Sequence, residues 1–166
     1  MFFYSLLKSG ADFGEILICV LAMLIAASFA IVFHEVAHGY AALLSGDSTA
    51  KVRGRLSLNP IKHFDLWGLL LLVVAGFGWA KPVPINSDNF KNRRKGMILV
   101  SAAGVTTNIV AAMLALLVFY LSYPVIGYYS PALDAVGIIY LKLFVYYLLV
   151  FFISINLMLA FFNLLP

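Results

Sequence analysis

The sequence contains few charged residues and a single cysteine. Charged residues make up 11% of its 166 residues, against roughly 25% in a soluble domain, and its mean hydropathy is +1.03. This composition excludes a soluble globular protein, and it excludes intrinsic disorder because disordered chains have low hydrophobicity and high charge. Cys19 alone cannot form a disulfide scaffold. The chain is therefore expected to be an integral membrane protein.

The positive charges are concentrated in one part of the chain. Of the eleven Lys and Arg residues, all except Lys8 and Lys142 lie between Lys51 and Lys95. Basic residues collect in cytoplasmic juxtamembrane loops. This distribution indicates the inner face of a membrane rather than a surface for nucleic acid, and we expect no nucleic-acid partner.

Three long apolar runs predict membrane-spanning helices, because about 20 apolar residues are needed to cross the hydrocarbon layer. The first run continues in a helical pattern to Ser45, with Gly46 as its C-cap. The three runs are Ile16–Phe33, Gly96–Tyr123 and Ala135–Pro166.

A fourth run, Leu66–Ala80, is too short for a full crossing and has basic residues on both sides. It predicts a re-entrant or tilted segment, with the N-terminus of the chain outside and the C-terminus inside. The basic region Lys51–Lys95 then lies inside, and the Ser122–Asp134 loop lies outside.

Between the first and fourth runs, Lys51–Leu58 alternates polar and mostly apolar residues, which predicts a strand that ends at Asn59-Pro60. The predicted fold class is an all-α integral membrane protein. It comprises a polytopic bundle of three spanning helices, one short re-entrant or tilted segment and a small β-strand or hairpin element.

The inner end of the first helix carries the pattern H-E-x-x-H, from His34 to His38. Residues four apart lie on one face of a helix, so both imidazoles can reach a single zinc ion. Glu35 lies to the side of this pair, where a carboxylate can act as a general base. Ionisable groups after a long apolar run usually face a functional cavity, so the pattern indicates a zinc site rather than a buried polar cluster.

Further polar residues occur in the two later spans. Gly104 and Asn108 lie on a stripe of small residues in the second span, while Asn156 and Asn163 share a face of the third. Polar groups from three helices could therefore converge. Asn108 is equally consistent with ordinary helix packing.

Together, these motifs resemble the site-2 protease family of intramembrane zinc metalloproteases, in its small prokaryotic form. His34–His38 matches the zinc motif of the family, and Ser101–Asn108 resembles its alanine-glycine-proline-x-x-asparagine segment, with Val105 in place of proline. Leu58–Asp65 and Gly78–Asn86 are also similar to segments of the compact prokaryotic branch.

The resemblance implies the chemistry of a zinc metalloendopeptidase. One Zn²⁺ per chain would be held by His34 and His38, with Glu35 as the general base. Asn108 and Gly104 would bind the substrate backbone or the oxyanion. The implied substrates are transmembrane proteins in the lipid bilayer of a prokaryotic plasma membrane, with the active site near the cytoplasmic side. The predicted strand Lys51–Leu58 would pair with the unwound substrate.

In this family the third zinc ligand is an aspartate in a later motif that opens asparagine-x-x-proline. Asn163–Pro166 resembles that opening, so residues 1–166 are expected to form one metalloprotease domain that is incomplete at its C-terminal end. His63 and Asp65 remain as alternative ligands. Three other aspartates are interpreted as loop residues: Asp47, Asp88 and Asp134.

A different class of function also fits the sequence. The chain would then be a non-catalytic membrane protein, either a pseudoprotease or an inactive fragment, that binds helical partners through its small-residue faces. The sequence does not indicate an oligomeric state.

Overall fold

The computed structural model describes residues 8, 10–75, 78–127 and 135–164. Three long helices dominate it: α1 (Phe13–Ser45), α4 (Arg93–Ile126) and α5 (Val136–Leu164). All three are long and apolar enough to cross a membrane, which confirms the three predicted apolar helices as candidate spans. Two shorter helices connect α1 to α4, namely α2 (Thr49–Val52) and α3 (Leu66–Ala75).

Both ends of helix α1 are fixed by capping residues. The Asp12 carboxylate accepts a hydrogen bond of 2.8 Å from the Glu15 N–H, which caps the N-terminal end. Gly46 follows the last helical residue with a φ of 114°, a left-handed conformation that favours glycine. The predicted C-cap is confirmed.

Helix α1 is the central element of the bundle. In the most apolar stretch of α1, 39% of residues are buried, compared with 11% in the corresponding stretches of α4 and α5. The three helices pack against one another pairwise. Small side chains allow this close approach, and the buried residues of α1 include Ala22, Ala26, Ala27, Ala30 and Ala41.

The predicted β element is wrong. Thr49–Val52 is helical, and the one β pairing among the described residues is an isolated antiparallel bridge between Phe64 and Ala80. The period of two in Lys51–Leu58 is overridden by local capping. Gly54 adopts a φ of 64°, and the following Arg55 N–H donates to the Ala50 carbonyl at 2.9 Å, which closes the helical turn. The predicted pairing of this segment with an unwound substrate required the strand, so it is withdrawn as well.

The short apolar segment starts and ends at the same place in the fold. Its helix α3 starts where the Asp65 carboxylate accepts the N–H groups of Trp67 and Gly68, at 3.1 and 3.0 Å. The chain returns at Ala80, which pairs with Phe64. Entry and exit of the segment are therefore adjacent, the arrangement that a re-entrant segment requires. Residues 76 and 77 of this predicted segment lie outside the described residues.

Candidate metal centre

The two histidines of the H-E-x-x-H pattern face each other on α1. Their Nε2 atoms are 2.9 Å apart, and the ring planes are perpendicular, with centroids separated by 4.5 Å. The His38 Nδ1–H donates to the Val100 carbonyl of α4 at 2.7 Å. A backbone partner on Nδ1 leaves the Nε2 lone pair free, which is the usual arrangement of a metal-ligating histidine.

Gly104 of α4 packs directly against both imidazoles. A Cβ at this position would lie 2.5 Å from His34 Cε1 and 2.6 Å from His38 Nε2. Both distances are far inside van der Waals contact. Helix α4 can therefore reach the histidine pair only because residue 104 has no side chain.

Replacing Gly104 with alanine should displace the imidazoles and greatly reduce zinc binding. The added methyl group would occupy the space of His34 Cε1 and His38 Nε2, and overpacking of this kind costs about 1–3 kcal/mol. Zinc per chain, measured by plasma mass spectrometry, checks this. Gly137→Ala in α5 is the matched control, because a Cβ there would meet nothing within 4 Å. Full zinc occupancy in the Gly104 variant would contradict the packing argument.

Asn108 lies one turn beyond Gly104 on the same side of α4. It is fully buried, and neither its Oδ1 nor its Nδ2 has a hydrogen-bond partner among the described residues. The buried His34 Nδ1 is also without a partner there. Unsatisfied buried polar atoms cost about 1–3 kcal/mol each. Their concentration beside two converging imidazoles fits a site that binds a polar group.

Glu35 contacts a different element. Its Oε2 accepts a hydrogen bond of 2.7 Å from the backbone N–H of Val83. Val83 lies in the Lys81–Asn86 segment, which has no regular secondary structure. The predicted general base is thus adjacent in sequence to one histidine, and it is held by a loop that lies outside the H-E-x-x-H pattern.

The alternative zinc ligands do not join the pair. His63 is buried elsewhere, where its Nε2 bonds the Ser57 carbonyl at 2.8 Å, and Asp65 caps α3. Within the described ranges, no group of three His, Cys, Asp or Glu side chains could hold a metal. The structure therefore brings together two nitrogen donors. Leu165 and Pro166 of the asparagine-x-x-proline opening, and Asp134, lie outside the described residues.

Two residues that organise the loops between α1 and α4 were not identified from the sequence as important. The Asp47 carboxylate is fully buried and accepts hydrogen bonds from Thr49, from the Asn86 N–H and from the Asn89 amide, the last two at 2.8 Å. Burial raises the pKa of Asp47, but these hydrogen bonds outweigh it and lower the pKa to about 2. The Arg55 guanidinium donates to the carbonyls of Lys62, Lys81 and Pro82.

The position of Thr49 two residues after Asp47 was the available signal, because this spacing is typical of a local side-chain cap. The distant partners of Asp47 and Arg55 had no comparable sequence signal. Both side chains hold the segment of residues 81–86 beside the C-terminal half of α1, and this segment in turn contacts Glu35.

An apolar cavity of about 190 Å³ lies next to α1, with Ala27, Ser28 and Ile31 on its wall. Residues of α5 and the region around Trp79 form the other walls. Ile31 is one helical turn before Glu35, so the two residues share a face of α1. Space for apolar side chains therefore exists one turn from the candidate site.

Comparison with known proteins identifies a relative in Bacillus subtilis (strain 168) that is named "Putative zinc metalloprotease YwhC". The two sequences are 42% identical over 137 residues, which cover 80% of this chain and 57% of the relative. The chain therefore spans less than two thirds of that protein. No protein-family model matches the chain, and no solved structure matches it. Over four fifths of its length, the chain is similar to a protein named as a zinc metalloprotease, and this name agrees with the paired histidines of α1.

Proposed function

We propose that this chain is the metal-binding, membrane-embedded part of an intramembrane zinc metalloendopeptidase of the site-2 protease type. The observation that carries the proposal is the convergence of two histidine Nε2 atoms, 2.9 Å apart, on a helix long and apolar enough to span a membrane. The similarity to a named zinc metalloprotease supports the reaction class.

The donors of the candidate site suit zinc. Imidazole nitrogen binds this ion at about 2.0–2.1 Å, and the hydrogen bond from His38 to Val100 orients one ring for it. When bound, zinc supplies Lewis-acid polarisation of the scissile carbonyl and makes water more acidic. Catalytic zinc sites have three protein ligands, so the proposal requires a third ligand from outside the described residues.

The residues of this chain would divide the remaining work. Glu35 would take a proton from the attacking water and return it to the leaving amine, as general base and then general acid. The unpartnered amide of Asn108 would hydrogen-bond the substrate backbone or the developing oxyanion. Gly104 would bring the backbone of α4, and with it the amide of Asn108, close to the imidazoles, because it has no side chain to hold the helix away.

The substrates we propose are membrane-embedded polypeptides. The histidines lie in the second half of α1, before the basic residues between Lys51 and Lys95. Under the positive-inside rule this position supports a site near the cytoplasmic side. The apolar cavity beside Ile31 suits an apolar segment. A prokaryotic plasma membrane is the proposed location.

Removal of the metal should abolish the activity reversibly. The protein purified in detergent should contain stoichiometric zinc and should cleave a single-span transmembrane polypeptide. Cleavage should depend on the zinc, because attack requires a carbonyl that the metal polarises. Treatment with 1,10-phenanthroline should stop cleavage, and added zinc should restore it. Cleavage is measured by mass spectrometry of the products. Turnover that persists in the metal-free protein would overturn the proposal.

The same experiment separates the proposal from a non-catalytic role. Two ligands among the described residues, without a third, would also suit a pseudoprotease that binds helical partners. Such a protein would leave the polypeptide uncut whether or not zinc is added.

A further inference from the structure

We propose that the backbone N–H of Val83 is a positioning group for Glu35, so that the loop of residues 81–86, and not α1 alone, sets the geometry of the general base. This inference rests on the proposed function. The contact that carries it is the 2.7 Å hydrogen bond from the Val83 N–H to Glu35 Oε2. Val83 is only 7% exposed, so competition from water is weak and the bond is effective.

The local sequence singles out this N–H. Val83 is preceded by Pro82 and followed by Pro84, and neither proline has an N–H to donate. A residue before proline is restricted to extended backbone conformations, which applies to both Lys81 and Val83. The sequence Pro-Val-Pro therefore presents one backbone donor from a stretch of chain with little conformational freedom.

The segment is also fastened at both ends. At its start, the Arg55 guanidinium donates to the carbonyls of Lys81, at 2.5 Å, and Pro82, at 3.2 Å. At its end, the buried Asp47 carboxylate accepts the Asn86 N–H at 2.8 Å. Both anchors belong to the region that directly follows α1, so they hold the Val83 donor at a fixed position relative to that helix.

The side chain of Val83 adds a third restraint. It packs against α1 at Gly39, where a Cβ would lie 3.2 Å from Val83 Cγ1. Gly39 is one turn after Glu35 on the same face of the helix. The loop thus contacts α1 at two successive turns, through a hydrogen bond at Glu35 and through van der Waals packing at Gly39.

This arrangement would select one orientation of the carboxylate. A glutamate side chain on a helix otherwise samples several rotamers. With Oε2 bound to Val83, the Oε1 atom, which has no hydrogen bond to the described residues, is left for proton transfer. A misplacement of about 1 Å in a catalytic group can cost about 10²-fold in rate, so the loss of the donor should affect turnover and leave zinc binding intact.

Val83→Pro removes the donor and keeps an extended backbone. We expect kcat for a single-span transmembrane polypeptide to fall by about 10²-fold, with KM and zinc content unchanged. Ile85→Pro is the matched control, because it removes an N–H from the same segment that bonds nothing among the described residues. Val83→Ala keeps the N–H and loses only the packing on Gly39, so its loss of kcat should be much smaller than that of Val83→Pro. Equal losses in the two proline variants, or full turnover in Val83→Pro, would overturn the inference.

Hydrogen exchange tests the contact without measuring activity. In the wild-type protein the Val83 amide should be protected, and in Glu35→Ala it should exchange faster, while the Asn86 amide, held by Asp47, should not change. An unchanged Val83 amide would refute the positioning contact. If the wild-type protein shows no zinc-dependent cleavage, the proposed function is overturned as well. If the wild-type protein cleaves normally but the exchange of the Val83 amide is the same in Glu35→Ala, only the positioning contact is overturned.

Discussion

Glu35→Gln should abolish proteolysis while zinc stays bound. Glutamine has nearly the same shape, and its amide oxygen can still accept the Val83 N–H that bonds Glu35 Oε2 at 2.7 Å. It cannot take up a proton at neutral pH. General acid–base catalysis contributes about 10²–10⁴-fold, and Glu35 would serve in both directions of proton transfer, so kcat should fall by about 10³-fold. Single-turnover cleavage and metal analysis of the same preparation provide the measurement.

The control for this variant is the other glutamate of α1. Glu15 lies near the opposite end of the helix, where it accepts a hydrogen bond of 2.9 Å from the Tyr147 hydroxyl. Glu15→Gln should leave both the rate and the zinc content unchanged, because an amide oxygen can accept the same bond. If Glu35→Gln kept the wild-type rate, proton transfer would belong to another group.

The parts of the fold that were predicted correctly depend on short-range chemistry. The three spans follow from apolar runs of sufficient length, and the end of α1 follows from Gly46, whose left-handed φ of 114° favours glycine. The wrong strand shows the limit of the same method. Alternation over Lys51–Leu58 predicts a strand only if a partner strand exists, and the capping by Asp47 and Gly54 was the stronger signal.

The organisation of the candidate site could be predicted only in part. The pairing of His34 and His38 follows from their spacing on one helix. The contacts of Glu35 with Val83 and of Asp47 with Asn86 join residues far apart in the chain, and no local pattern encodes such pairings. The importance of Gly104 has the same origin, because a glycine in an apolar helix acquires its role only when the helix packs against the imidazoles.

His34→Ala should remove zinc and proteolysis together. His34 supplies one of the two nitrogen donors that the structure brings together, and a site that loses a ligand no longer closes around the ion. Polarisation by the metal is worth several kcal/mol, and each 1.36 kcal/mol is a factor of ten in rate, so cleavage should fall by about 10³-fold or more. Metal analysis and product mass spectrometry of one preparation give both values.

The fold should survive this substitution, which makes the result interpretable. Alanine is the commonest buried residue of α1, and the change removes the unpartnered His34 Nδ1 from the interior. Helicity and thermal unfolding should therefore stay close to those of the metal-free wild-type protein, since bound zinc itself stabilises the native state. His63→Gln is the control. His63 bonds the Ser57 carbonyl away from the pair, and a glutamine amide can donate to the same carbonyl. Stoichiometric zinc in His34→Ala would assign the metal to other residues and remove the basis of the proposed function.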